Sequence, residues 1–295
     1  MNRLKGMLEQ NGVFSNLVVL FAILCFFVLV LSPITALITA ANPSSVNIMK
    51  VSQLILSIGI FIVPPFILAY LCSKSPLTYI HLNEKTRWSD AGYVVLFMLL
   101  IIPFVNLLGD MNQQLVLPKF LSGLESSIKS MEEQANKLVE QMLKVHSLSA
   151  LLFNVFLIAI LPALGEELFF RGALIRILQN WKGVKMAIWI TAFIFSTIHF
   201  EFYGFVPRLL MGAFFGYLLL WSGNLWLPIL AHFINNVIAV LFYYLKYNGF
   251  KLPDIDAIGI GNTLWVGLAS GAISILGFYL LKRRFRLPDE KIVNS

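Results

Sequence analysis

Apolar residues gather along this chain into runs about as long as a bilayer is thick. A helix that crosses the roughly 30 Å hydrocarbon core takes about 20 apolar residues. Runs of this kind lie near 17–41, 51–72, 91–109, 150–170, 185–201, 205–221, 225–246 and 262–281. They predict an all-α, polytopic integral membrane bundle of about eight transmembrane helices. The later runs are divided by short turns, Glu201-Phe-Tyr-Gly204 and Ser222-Gly-Asn224, whose Gly and Asn favour a chain reversal. Pro64, Pro65 and Pro162 fall inside runs, where a bundle tolerates the kinks they bring. With no internal repeat and no low-complexity tract, residues 1–295 are expected to form a single membrane domain.

Residues 118–147 follow a different pattern. Leu124, Ile128, Met131, Ala135, Leu138 and Met142 recur every three or four positions against a mixed-charge face, which predicts an amphipathic helix. The readings open for it are a helix on the membrane surface, a cap on the bundle, a solvated connector and a helix that gates substrate.

Composition agrees with this reading. The 295 residues are 58% hydrophobic and only 13% charged, about half the charged share of a soluble domain. The net charge of +7 would suit nucleic acid, but the basic residues sit in short loops and at the ends. Arg3 and Lys5, Lys74, Lys85 and Arg87, Arg176, Lys182 and Lys185, and Lys282, Arg283, Arg284, Arg286 and Lys291 mark one side of the membrane. By the positive-inside rule both termini are cytoplasmic, the 118–147 helix is non-cytoplasmic, and no nucleic-acid partner is expected. The first run is too long for a signal-peptide core, so it reads as a retained span. Cys25 and Cys72 show no CxxC pattern and read as small buried hydrophobes. His81 and His146 fall in polar loops and read as solvated; Glu201 and Arg208 read as interfacial charges beside a turn.

Against this background Glu166 and Glu167 stand out, inside Leu-Pro-Ala-Leu-Gly-Glu-Glu-Leu-Phe-Phe-Arg-Gly. A carboxylate within a span is costly and by default marks a functional site with a partner. Glu167 and Arg171 share a helix face at i, i+4, as do Phe195 and His199, and His232 and Asn236. Asn235 lies on another face and reads as packing or capping. Counted from the cytoplasmic boundaries at the helical rise, Glu166, His199, His232 and Asn236 lie about 12–21 Å deep. Three spans thus bring polar groups to a similar level. A carboxylate beside histidine can hold and deprotonate water. An imidazole and a carboxamide one turn apart can donate to a developing oxyanion. Together they outline amide hydrolysis by activated water. Ser196 and Thr197 carry no serine-hydrolase motif, and neither HExxH nor GxGD occurs. A membrane carrier or immunity protein using the same groups as a proton relay is the non-enzymatic alternative.

Glu166-Glu167-x-x-x-Arg171, Phe195-x-x-x-His199 and His232-x-x-x-Asn236 resemble, in order, the three motifs of the CPBP intramembrane proteases, also called the Abi or type II CAAX prenyl endopeptidase-like family. The resemblance covers roughly residues 150–245. It implies an intramembrane endopeptidase in which Glu166 is the base on water and His199 orients that water. It further implies that His232 and Asn236 form the oxyanion hole, with Glu167 and Arg171 as supports. The implied partners are a peptide or lipidated protein substrate and membrane lipid, in a bacterial plasma membrane. For the cofactor two readings stay open, none or zinc. No metal site is assigned, though Glu166, His199 and His232 could ligate Zn²⁺ and leave a position for water.

Overall fold

The computed structural model describes residues 4–43, 45–115 and 122–285. Arg3, Arg286, Lys291, the segment 118–121 and the side chain of Leu124 lie outside the described residues.

The described chain is helical. We number α1 Val13–Ala41, α2 Val46–Cys72, α3 Trp88–Gln113, α4 Ser122–Leu143, α5 Leu148–Lys182, α6 Val184–Thr197, α7 Phe205–Ser222, α8 Trp226–Tyr247 and α9 Leu264–Phe285. Among the described residues, seven helices are long and apolar enough to cross a membrane: α1, α2, α3, α5, α8, α9, and α7 with the short turn before it. The fifth predicted span, 185–201, is shorter than its apolar run. Helix α6 has 14 residues, about 21 Å at the helical rise, and ends at Thr197. The carbonyl of Phe195, which a continuing helix would pair with a backbone N–H, instead accepts from Nδ1 of His199 at 2.6 Å. The chain then turns through Phe200, whose φ is +55°.

Helix α5 lies at the centre. Leu157, Ala159, Ala163, Leu168 and Ala173 on it are fully buried, against α2 on one side and α8 on another. Helix α1 is peripheral and shows Phe14, Phe21, Leu29 and Leu37 to the outside, as a lipid-facing helix would. The prolines widen helices here. A π-helical stretch, Ile58–Ile62, precedes Pro64 and Pro65, and another, Val155–Ile160, precedes Pro162. A third, Leu168–Leu174, follows the glutamate pair. Such widenings free carbonyls and are frequent near functional sites. Arg176, expected in a loop, instead lies on α5, which continues to Lys182.

Helices α3 and α9 pack together around Pro103. Lacking an N–H, this proline disrupts the α3 ladder. Ser270 of α9 repairs it, donating to the Leu100 carbonyl at 2.5 Å and accepting from the Phe104 N–H at 3.3 Å. Asn106 Nδ2 donates to the carbonyls of Ile255 and Ile258, at 2.7 and 2.9 Å, so the turn before α9 is drawn against α3. Gly259 in that turn has φ +100°, and a Cβ there would collide with the Pro103 carbonyl. Gly259→Ala is therefore expected to lower stability by about 1–3 kcal/mol or more. An unchanged unfolding midpoint of the purified variant would contradict this account of the α3–α9 contact.

Among the described side chains of the amphipathic helix α4, those buried in the bundle lie at its C-terminal end. Met142 and Leu143 are buried, whereas Met131 and Leu138 are exposed. Toward its other end α4 leans on the turn after α6. Glu132 Oε1 accepts from the Tyr203 N–H at 3.1 Å, and the Tyr203 hydroxyl donates to Glu125 at 3.2 Å.

Candidate active site

Four helices and one turn deliver the site. Glu166 and Glu167 sit on α5, Arg171 one turn later, Phe195 at the end of α6, His199 in the turn beyond it, Gly212 and Phe215 on α7, and His232 and Asn236 on α8.

The two glutamates divide sharply. Glu167 is fully buried and its Oε1 accepts twice, from Arg171 Nη1 at 2.9 Å and from His232 Nδ1 at 2.9 Å. The predicted i, i+4 ion pair is thus present, and it reaches a third group on another helix. Arg171 donates its other terminal nitrogen to the Gly212 carbonyl at 2.8 Å. Its guanidinium lies over the rings of Phe195, Phe215 and Phe170, at 4.9, 5.4 and 5.9 Å. Glu166 keeps 16% of its side chain exposed, and its Oε2, itself shielded, has no hydrogen-bond partner among the described residues. The nearest cationic or imidazole nitrogen is His232 Nε2, at 3.9 Å.

Both imidazoles are oriented through Nδ1. In His232 that nitrogen donates to the Glu167–Arg171 pair, and the ring stacks on Phe215 at 5.3 Å. In His199 it donates to the Phe195 carbonyl. In the neutral forms each ring therefore presents a lone pair at Nε2. The two rings share one aromatic wall: Phe195 lies 4.8 Å from His199 and 6.1 Å from His232. Asn236 is half-buried one turn beyond His232, and its Oδ1 accepts from Asn235 Nδ2 at 3.2 Å. That leaves the Asn236 NH₂ as its remaining donor.

The turn carrying His199 is clamped from several sides. Asn112 of α3 donates to the Phe202 carbonyl at 2.8 Å and accepts from the Val206 N–H at 2.7 Å. Ser196 donates to the Phe205 carbonyl at 2.8 Å. Glu201 and Arg208, read from sequence as separate interfacial charges, form an ion pair across this turn.

Some residues around the site gave no signal in the sequence. Phe215 and Gly212 belong to an apolar helix without a motif, and Asn112 is the first of three consecutive amides, Asn112-Gln113-Gln114, at the end of a span. Asn235, read as packing or capping, is exposed and donates to Asn236 Oδ1. His81 proves half-buried; burial, aided by nearby Arg176, lowers its pKa to about 4.

For zinc, the donor chemistry is suitable. Metal-bound histidines commonly donate their second nitrogen to a carboxylate or carbonyl, as both rings do here. The placement does not match: among the described residues no three His, Cys, Asp or Glu side chains converge as a metal site.

Comparison with known proteins bears on this arrangement. Residues 148–238 match the family model described as type II CAAX prenyl endopeptidase Rce1-like. The matched segment begins with α5 and ends two residues after Asn236, so it holds all three motifs, while Asn112 and His81 lie outside it. No curated protein and no solved structure matches the chain. The description of that family is of an endopeptidase, and the match covers less than half of the chain.

Proposed function

We propose that this protein is an intramembrane endopeptidase that cleaves a peptide or prenylated protein tail with water activated by Glu166. The observation that carries the reading is the unpartnered Oε2 of Glu166, 3.9 Å from an imidazole nitrogen whose ring is fixed from behind by Glu167 and Arg171.

A water between Glu166 and the two Nε2 atoms would donate to the carboxylate and to an imidazole lone pair. Glu166 takes a proton as the water oxygen attacks the scissile carbonyl carbon. The carbonyl oxygen becomes an oxyanion, which the Asn236 amide can meet. Neutral His232 has no Nε2 hydrogen, so it donates to the oxyanion only after receiving a proton. Glu166 lies within a short relay of it. Collapse of the tetrahedral intermediate breaks the C–N bond, and the leaving nitrogen takes up the proton held by the Glu166–His232 pair. His199 holds the water in line, and the Glu167–Arg171 pair fixes the tautomer of His232 without touching substrate. The scheme is independent of metal. Basic residues just after α2 and at the ends of α5 and α9 are the ground for reading both termini as cytoplasmic.

The test uses purified protein in lipid vesicles with prenylated and unmodified C-terminal peptides, products being read by mass spectrometry. Cleavage by wild type that is lost in Glu166→Gln supports the proposal. Equal cleavage by both, or substrate flux through the membrane with no cleavage of any peptide, overturns it. Full activity after chelation, in protein without stoichiometric metal, supports the metal-independent scheme.

A further inference from the structure

A groove runs between α3 and α9, and no residue of the candidate site lines it. Its volume is about 650 Å³, within the roughly 300–1,000 Å³ of small-molecule pockets. The walls are apolar. Leu96 and Leu100 line it from α3, Leu276 and Leu280 from α9, and all four are exposed. Gly277 sets the floor: a Cβ there would meet the Phe97 ring at 2.7 Å, so only glycine lets that ring rest against α9. Along α9 the lining runs from Ile273 to Arg284, about 16 Å at the helical rise. That is close to half of the roughly 30 Å hydrocarbon core, the depth of one leaflet.

The cations stand at one end only, where α9 supplies Arg283 and Arg284, and no carboxylate lines the groove. Arg284 is held in place. It donates Nε to Asp90 and Nη2 to Ser89, both at 2.9 Å, and lies over the Tyr93 ring at 4.5 Å. Asp90 offsets its charge. Arg283 beside it is exposed and has no ion-pair partner among the described residues, so this end keeps a positive charge. Trp88, at the start of α3, is 93% exposed at the same end, as an interfacial anchor would be.

We propose that this groove holds one anionic phospholipid of the adjoining leaflet, with an acyl chain against the leucines and the phosphate at Arg283. A soluble anion would gain nothing from leucine walls a leaflet deep. A zwitterionic headgroup brings a cation of its own toward Arg283. A second copy docked through the same face would set two Arg283 side chains at one level, where like charges repel. The inference stands apart from the peptidase reading and does not rest on it.

Native mass spectrometry of the full-length protein, released from neutral maltoside micelles, tests it. The probes are phosphatidylglycerol and phosphatidylcholine with the same acyl chains, added in equal amounts. The wild type should retain one phosphatidylglycerol, favoured over phosphatidylcholine about fivefold or more, the worth of one arginine beside anionic headgroups. Arg283→Gln should bring that ratio close to one. Leu276→Trp, which fills the groove, should lose the adduct of either lipid. Both residues are exposed, so both variants should fold, which circular dichroism verifies; Leu280→Trp replaces Leu276→Trp if the latter does not. No adduct on the wild type, equal adducts of the two lipids, or a dimer in place of the adduct overturns the proposal. So does an unchanged preference in folded Arg283→Gln, or an unchanged adduct in the folded tryptophan variant.

Discussion

Arg171→Met should cost about 3–5 kcal/mol of stability, the penalty for leaving one partner of a buried pair alone. Glu167 would keep a single imidazole hydrogen bond for a carboxylate with no exposed surface. The Gly212 carbonyl would lose its donor as well. The three aromatic rings around the guanidinium would still pack on methionine, so the loss is mainly electrostatic. The double variant Glu167→Met with Arg171→Met removes both charges and should be more stable than Arg171→Met alone. Denaturant titration of the three purified proteins measures this. A single variant within about 1 kcal/mol of wild type would show that the pair is not the structural element described here.

The second large effect is on rate. Glu166→Gln keeps the shape of the side chain but cannot take a proton from water. If general-base catalysis is its role, cleavage should fall about 10²–10⁴-fold. Stability should hardly change, because Glu166 Oε2 has no hydrogen bond to lose. Glu167→Gln should behave differently, losing stability together with rate, since it weakens the hold on both Arg171 and His232. Initial rates and unfolding midpoints on the same samples separate the two glutamates. Comparable loss of stability in both variants would remove the distinction drawn between them.

The motif spacings foretold much of this. Two residues four apart on a helix share a face, which was enough to anticipate the Glu167–Arg171 ion pair, and the three motif segments do meet around one site. Spacing could not tell which of two adjacent glutamates turns inward, because that depends on how α5 rotates through its π-helical stretches. Nor could it supply Phe215, since one phenylalanine among 25 carries no mark of the imidazole it faces. The end of α6 was hidden for another reason. Hydropathy continues through Ile198 and Phe200, but the chain reverses where a histidine side chain takes the carbonyl that the next turn needs. The division of the chain into lipid-spanning segments was legible from apolar run length alone, which is why seven of the eight appear at full length.

His199 is unlike its companions in being held by a loop. Its place depends on Asn112, on the Glu201–Arg208 pair and on the lean of α4 against Tyr203, whereas Glu166 and His232 are built into long helices. Warming loosens loop contacts before it melts helices. Peptide cleavage should therefore fade several degrees below the temperature at which helical circular dichroism collapses, and return in full on cooling.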